Sequence, residues 1–279
     1  MKSDFQLNQG ETRPIRVGAV SYLNTKPLIY GLKGQLADRG SLELALPSRL
    51  ADDLKAGLYD VALIPSIEFF RNPDYSIISD ACIACHGEVW SVKLLFRVPP
   101  SQVKTIALDE GSRTSATLAK VLLWSRLGIR PESIELPIEG DFRSSHADAV
   151  LIIGDRAMGQ VSSGFTEAWD LGQEWTKDTG LPFVFAMWVG RISDRSAEIA
   201  TVLQQARDVG CNQASELAKK YAADYHLSIA DCEKYFTHYL HYYLGDRELA
   251  GLQLFYDRAA QLELAPRGHN FFSETLLTP

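Results

Sequence analysis

Short apolar runs alternate with stretches of helical spacing over roughly the first 190 residues; beyond them only helical spacing remains. Runs at Ile15–Val20, 42–46, 59–64, 75–85 and 89–98 read as strands, the last notably long. Pro99-Pro100 then punctuates the chain, and strands follow at 105–108, 149–153 and 181–189. Between them, 114–127 has the strongest helical pattern, with Gly128 as its stop and Pro131 beyond. A second helix is expected to start at Ser48 as its cap and to run to Lys55. This alternation predicts an α/β fold with parallel sheets covered on both faces. Segments 197–209, 214–225, 229–244 and 248–264 predict a helical ending without a strand.

At 279 residues the chain is long enough to divide into two lobes. The long apolar strands near 90–98 and 182–190 bracket a middle block, as when a chain crosses to a second lobe and returns. Lobe one is therefore expected at 1–97 plus 190–279, and lobe two at 98–189. A net charge of -7 argues against a nucleic-acid partner, because phosphate backbones are held by clustered Lys and Arg. The first fourteen residues are polar and lack the apolar centre of a secretory signal. No apolar run approaches the roughly 18–20 residues that span a bilayer. A cytoplasmic protein with no membrane partner is expected, and nothing in the sequence sets an oligomeric state.

Cys82 and Cys85 form a lone CxxC, but on a strand residues three apart face opposite ways. Cys211 and Cys232 supply no second pair at metal-ligand spacing. All four read as structural thiols. In HYLHYYLG, His238 and His241 lack the i, i+4 spacing of a zinc-protease helix, and His86, His146, His226 and His269 read as isolated. No metal site is expected. Dinucleotide, Walker and nucleophile-elbow motifs are absent.

In α/β sheets ligands bind at the carboxyl ends of strands, where loops enter helices. Four such ends carry polar groups here. The first strand runs into Ser21, Tyr22, Asn24, Thr25 and Lys26, and the third into Pro65-Ser66. DEGSRTS, 109–115, brings Ser112, Arg113, Thr114 and Ser115 to the start of the strongest helix. Three hydroxyls and a guanidinium exceed what capping needs, so an anion site is expected there. The fourth end is Gly154-Asp155, both candidate substrate contacts, with the aspartate also read as ordering neighbouring loops.

Five stretches in order, GAVSYLNTKPL, YDVALIPSIEFF, VWSVKLLF, LDEGSRTSATLAKVLL and LIIGDRAM, resemble the chorismate dehydratases of the futalosine route to menaquinone. With the tail GLQLFYDRAAQLEL the resemblance covers 15–264. It implies a periplasmic-binding-protein-like fold of type II, two α/β lobes with a ligand cleft between them. It also implies loss of water from chorismate to give 3-[(1-carboxyvinyl)oxy]benzoate, a redox-neutral reaction that calls for no cofactor. The family's polar site residues map onto Asn24 and Ser91, with Ser66, Ser112, Thr114 and Ser115 lining the same cleft and Tyr22 beside Asn24. The chain departs from the family at Cys85-His86-Gly87-Glu88, where a Gly-Pro usually precedes the VxSV strand. Two other readings stay open: a sister naphthoate synthase, whose usual opening motif SYLNTKP does not match, and a non-catalytic cytoplasmic carboxylate-binding module.

Overall fold

The computed structural model describes residues 13–109, 111–137, 140–159, 164–193 and 195–268. The readings made on residues 1–12, Glu110 and His269 lie outside them. Strands β1 (Ile15–Val20), β2 (Gly40–Ala45), β3 (Val61–Pro65) and β4 (Ser76–Cys85) build the first sheet, joined by short helices α1 (Leu32–Leu36), α2 (Pro47–Lys55) and α3 (Ser66–Phe70). Helix α2 begins at Pro47 rather than at a Ser48 cap. Proline at the first helical position has φ already set and no N–H to leave unpaired.

The second sheet holds β5 (Val92–Phe96), β6 (Thr105–Asp109), β7 (Glu132–Leu136), β8 (Ala149–Ile153) and β9 (Glu167–Asp170), with helices α4 (Arg113–Leu127), α5 (Asp155–Met158) and α6 (Leu171–Thr179). The chain then returns as β10 (Phe183–Gly190), in the middle of the first sheet. It closes with α7 (Ser196–Asn212), α8 (Ala214–Tyr221), α9 (Ile229–Lys234), a π-helical turn (Tyr235–Tyr239), β11 (His241–Tyr243) and α10 (Asp246–Gln261). Sheet orders are β11-β4-β10-β3-β1-β2 and β7-β6-β8-β5-β9.

Three expectations need correction. The sheets are mixed, because β10 runs antiparallel to β3 and β4, and β5 antiparallel to β8 and β9. Each of these strands enters its sheet from the other lobe. Both boundaries also shift: 92–96, expected in lobe one, pairs in the second sheet, and 183–190, expected in lobe two, pairs in the first. Finally, 229–244 is not one helix. It widens at 235–239 and ends in β11, an edge strand pairing with Ala84 and Ala81 of β4.

The strand expected from Val89 starts only at Val92, and the cause is local. Trp90 has φ +66, and Ser91 N–H donates to Val89 O at 2.8 Å, closing a tight turn. Such a conformation costs a non-glycine residue about 1–3 kcal/mol. The Asp170 carboxylate offsets it by accepting the N–H groups of Val89 and Trp90 at 3.0 and 2.6 Å, while the indole stacks on Tyr239. Asp170 stands at the head of α6, so the outgoing and returning crossings are tied together. Gly172 completes that junction: a Cβ there would stand 2.5 Å from Cys85 Sγ and Gly87 O.

One core of buried side chains runs through both lobes, and a second, smaller cluster including Leu95, Phe142 and Val150 also forms around the second sheet. Cys82, Cys85 and Cys232 are buried and all four cysteines are free; burial raises each thiol pKa. No helix among the described residues is long and apolar enough to cross a membrane.

Candidate functional site

Between the lobes lies a cleft of about 540 Å³, its open mouth included, lined by Tyr22, Asn24, Ser91, Ser112, Thr114, Ser115 and Gly154. Apolar walls come from Val20, Ile83, Val89, Phe185 and Leu240. The carboxyl ends of β1, β6 and β8 meet here, together with the first crossing.

Helix α4 points its amino terminus at this space. Ser112 makes no side-chain capping bond, and the first intrahelical donor is Ala116 N–H, to Ser112 O at 3.0 Å. The N–H groups of Arg113, Thr114 and Ser115 precede that bond, and the helix dipole makes this end positive. Three buried hydroxyls surround it, yet no Lys or Arg side chain lines the cleft among the described residues.

Across from α4 stand two hydrogen-bonded pairs of polar side chains. Thr25 Oγ1 donates to Asn24 Oδ1 at 3.2 Å, which turns the Asn24 amide N–H groups away from Thr25. The Tyr235 hydroxyl donates to Ser91 Oγ at 2.9 Å. Because Ser91 accepts from Tyr235, its own O–H is left to donate elsewhere. Tyr235 is 1% exposed, and burial raises its pKa well above the ordinary phenol value. It stays a neutral donor. Sequence reading missed it, since an aromatic in a helical-looking stretch reads as packing; the π-helical turn that aims its ring has no local sequence signature. Tyr22 is likewise held neutral, pushed up to about 12 by burial and then by Asp109, while Arg156 opposes. Arg156 pairs with Asp109.

Three anticipated residues do not line the cleft. Ser66 Oγ donates to Val184 O at 2.8 Å and lies 3.4 Å from Thr114 Oγ1, so its hydroxyl links the lobes behind the site. Arg113 turns outward. Its guanidinium donates twice to Asp52 on α2, at 2.9 and 2.8 Å, lies 3.5 Å from Glu68, and holds the Asp52 carboxyl below its usual range. Asp155 keeps an exposed surface beside the site, with Lys26 nearby. Partial burial raises its carboxyl to about 6.

His86, read as isolated, is not. Its Nε2 lies 2.6 Å from Glu248 Oε1, and its ring centroid is 4.1 Å from that of His241. The partners are 155 and 162 positions away in sequence, beyond the reach of any local pattern.

A menaquinone biosynthesis family profile matches residues 15–261. The chain belongs to the menaquinone biosynthesis family. A curated member-like relative, from Thermus thermophilus and called chorismate dehydratase, is 28% identical over 273 residues, covering 91% of this chain and 98% of its own. A crystal structure of a protein from Archaeoglobus fulgidus superposes with TM-score 0.74 at 18% identity, covering 91% of this chain and all of the other. The periplasmic aliphatic sulphonate binding protein of Escherichia coli superposes at 0.59 with 14% identity, covering 92% and 94%. This family member thus has the two-lobed periplasmic-binding-protein-like fold, its sheets joined by the crossings described above.

Proposed function

We propose that this chain removes water from chorismate to give 3-[(1-carboxyvinyl)oxy]benzoate. The observation that carries the reading is a cleft equipped to hold carboxylates by hydrogen bonds, with Asn24 and a Ser91 hydroxyl oriented by Tyr235 facing an uncapped helix end. The relative of like sequence is called chorismate dehydratase, which supports the same reading.

Chorismate carries two carboxylates, and its ring bears a hydroxyl and an enolpyruvyl ether on adjacent carbons. Removing the proton from the ether-bearing carbon leaves an electron pair that enters the ring as the neighbouring C–O bond breaks. The proton leaves with the hydroxyl as water, and aromatisation drives the step. The α4 terminus and its hydroxyls hold one carboxylate. The second carboxylate, on the enolpyruvyl arm, is the proton acceptor; Asn24 orients it, and the Ser91 O–H donates to the leaving hydroxyl. Lining hydroxyls and an amide are poor bases but good positioners, so the rate comes from geometry. Closing the lobes excludes water and strengthens each hydrogen bond.

The test is to incubate the full chain with chorismate, following mass and proton NMR. Loss of one water, with new aromatic protons of a meta-substituted benzoate that keeps its enolpyruvyl group, is expected. Unchanged chorismate in the presence of folded protein would overturn the reading, and a binding titration would then identify a carboxylate-binding module.

Arg113 supplies a sharper discrimination. As a clasp on exposed Asp52, its loss in Arg113→Ala is expected to raise KM less than about fivefold with kcat nearly unchanged, because exposed ion pairs contribute about 0–1 kcal/mol. If Arg113 instead held a substrate carboxylate, the loss in kcat/KM measured by steady-state kinetics would be far larger.

A further inference from the structure

We propose that His86, His241 and Glu248 form a binding site for one divalent transition-metal ion, of the zinc class, where the first crossing leaves the first lobe. This site is separate from the cleft and does not depend on the reaction proposed above. Three elements meet there: the segment after β4 supplies His86, edge strand β11 supplies His241, and the first turn of α10 supplies Glu248. The ligand atoms all lie within 4.8 Å of one another. Both imidazole Nε2 atoms converge on one carboxylate oxygen, Glu248 Oε1, at 2.6 and 3.9 Å. Ligands about 2.0–2.1 Å from a tetrahedral zinc stand roughly 3.3 Å apart, a value those two separations bracket. Admitting an ion requires the 2.6 Å separation of His86 and Glu248 to widen.

The carboxylate is fixed before any ion arrives. Glu248 is 4% exposed, and its other oxygen accepts Gly245 N–H at 3.0 Å, so Oε1 is held toward the two rings. Outer contacts of this kind orient ligands in known sites. Entry is open as well: the His86 side chain is 46% exposed, leaving room for a solvent ligand in a fourth position. Arg207, the cation whose field reaches His241, is engaged with Asp80 and Asp208. Two imidazoles and a carboxylate are the donors of zinc, cobalt and nickel, whereas magnesium and calcium take oxygen ligands.

The experiment titrates chelator-treated full-length protein with cobalt chloride, reading the visible bands of the bound ion, and with zinc chloride by calorimetry. One ion per chain is expected. His86→Ala should weaken it at least tenfold, and so should Glu248→Gln, which keeps an oxygen for Gly245 N–H. His238→Ala should leave binding unchanged. Zinc should raise Tm in the wild type and not in His86→Ala. Absence of cobalt bands and heat with millimolar ion would overturn the proposal, as would binding undiminished in both His86→Ala and Glu248→Gln.

Discussion

Alanine at Ser91 is expected to lower kcat about 10²–10³-fold, the usual cost of deleting one preorganised donor at a reacting group. Two consequences separate this from a general loss of structure. First, Tyr235 loses its acceptor at 2.9 Å, and a buried hydroxyl left unpaired costs about 1–3 kcal/mol. A modest fall in Tm should accompany the kinetic defect, with circular dichroism still that of the folded chain. Second, Tyr235→Phe retains the ring and leaves the Ser91 O–H in place but free to rotate. Its kcat should drop by about fivefold, in line with a net contribution near 1 kcal/mol from an orienting hydrogen bond. If Ser91 donates to the leaving hydroxyl as proposed, KM should change little in either variant, because that interaction develops chiefly as the C–O bond breaks. Equal kcat values for wild type and Ser91→Ala, under the same assay, would remove Ser91 from the mechanism.

Gly210→Ala is expected to damage the protein most, although Gly210 lies on α7 and lines no part of the cleft. A Cβ there would stand 1.9 Å from Pro27 O and 2.6 Å from Pro27 C, a clash with backbone that no rotamer relieves. Overpacking of side chains costs about 1–3 kcal/mol, and this contact belongs at or above the upper end. For a chain of this size roughly 3 kcal/mol corresponds to a fall in Tm of about 6–12 °C. Pro27 ends the same loop that carries Tyr22 and Asn24, so relief of the clash moves Asn24. Activity assayed well below the lowered Tm should therefore remain depressed. A variant with native Tm would show that α7 and the loop separate freely.

Part of this arrangement was legible in the residues. Polar clusters after apolar strands marked the loops at Tyr22, Asn24, Ser112 and Gly154, because strand polarity and helix starts are local properties. What sequence could not supply were the partners. Arg113 reads as an anion ligand until Asp52, 61 positions away, takes both its terminal nitrogens. Ser66 looks available until the carbonyl of Val184, 118 positions on, accepts its hydrogen. Periodicity failed at 235–243 for a different reason: a widened helical turn and a three-residue edge strand are too short to establish a period of their own. At Val89 the apolar run continued, but Trp90 turned the backbone where hydrophobicity has no say.

That turn has a mechanical consequence. Asp170 grips the outgoing segment at two amides while it starts the returning one, and Gly172 presses against Gly87 at the same spot. Two connections pinned side by side resist sliding past each other, so any opening of the lobes is expected to be a rotation about Asp170. In such a rotation Ser91, near the pin, would travel less than the rim held by Arg113 and Asp52. The proposed dehydration, with Ser91 held steady and the rim open to admit substrate, would be served by one angle.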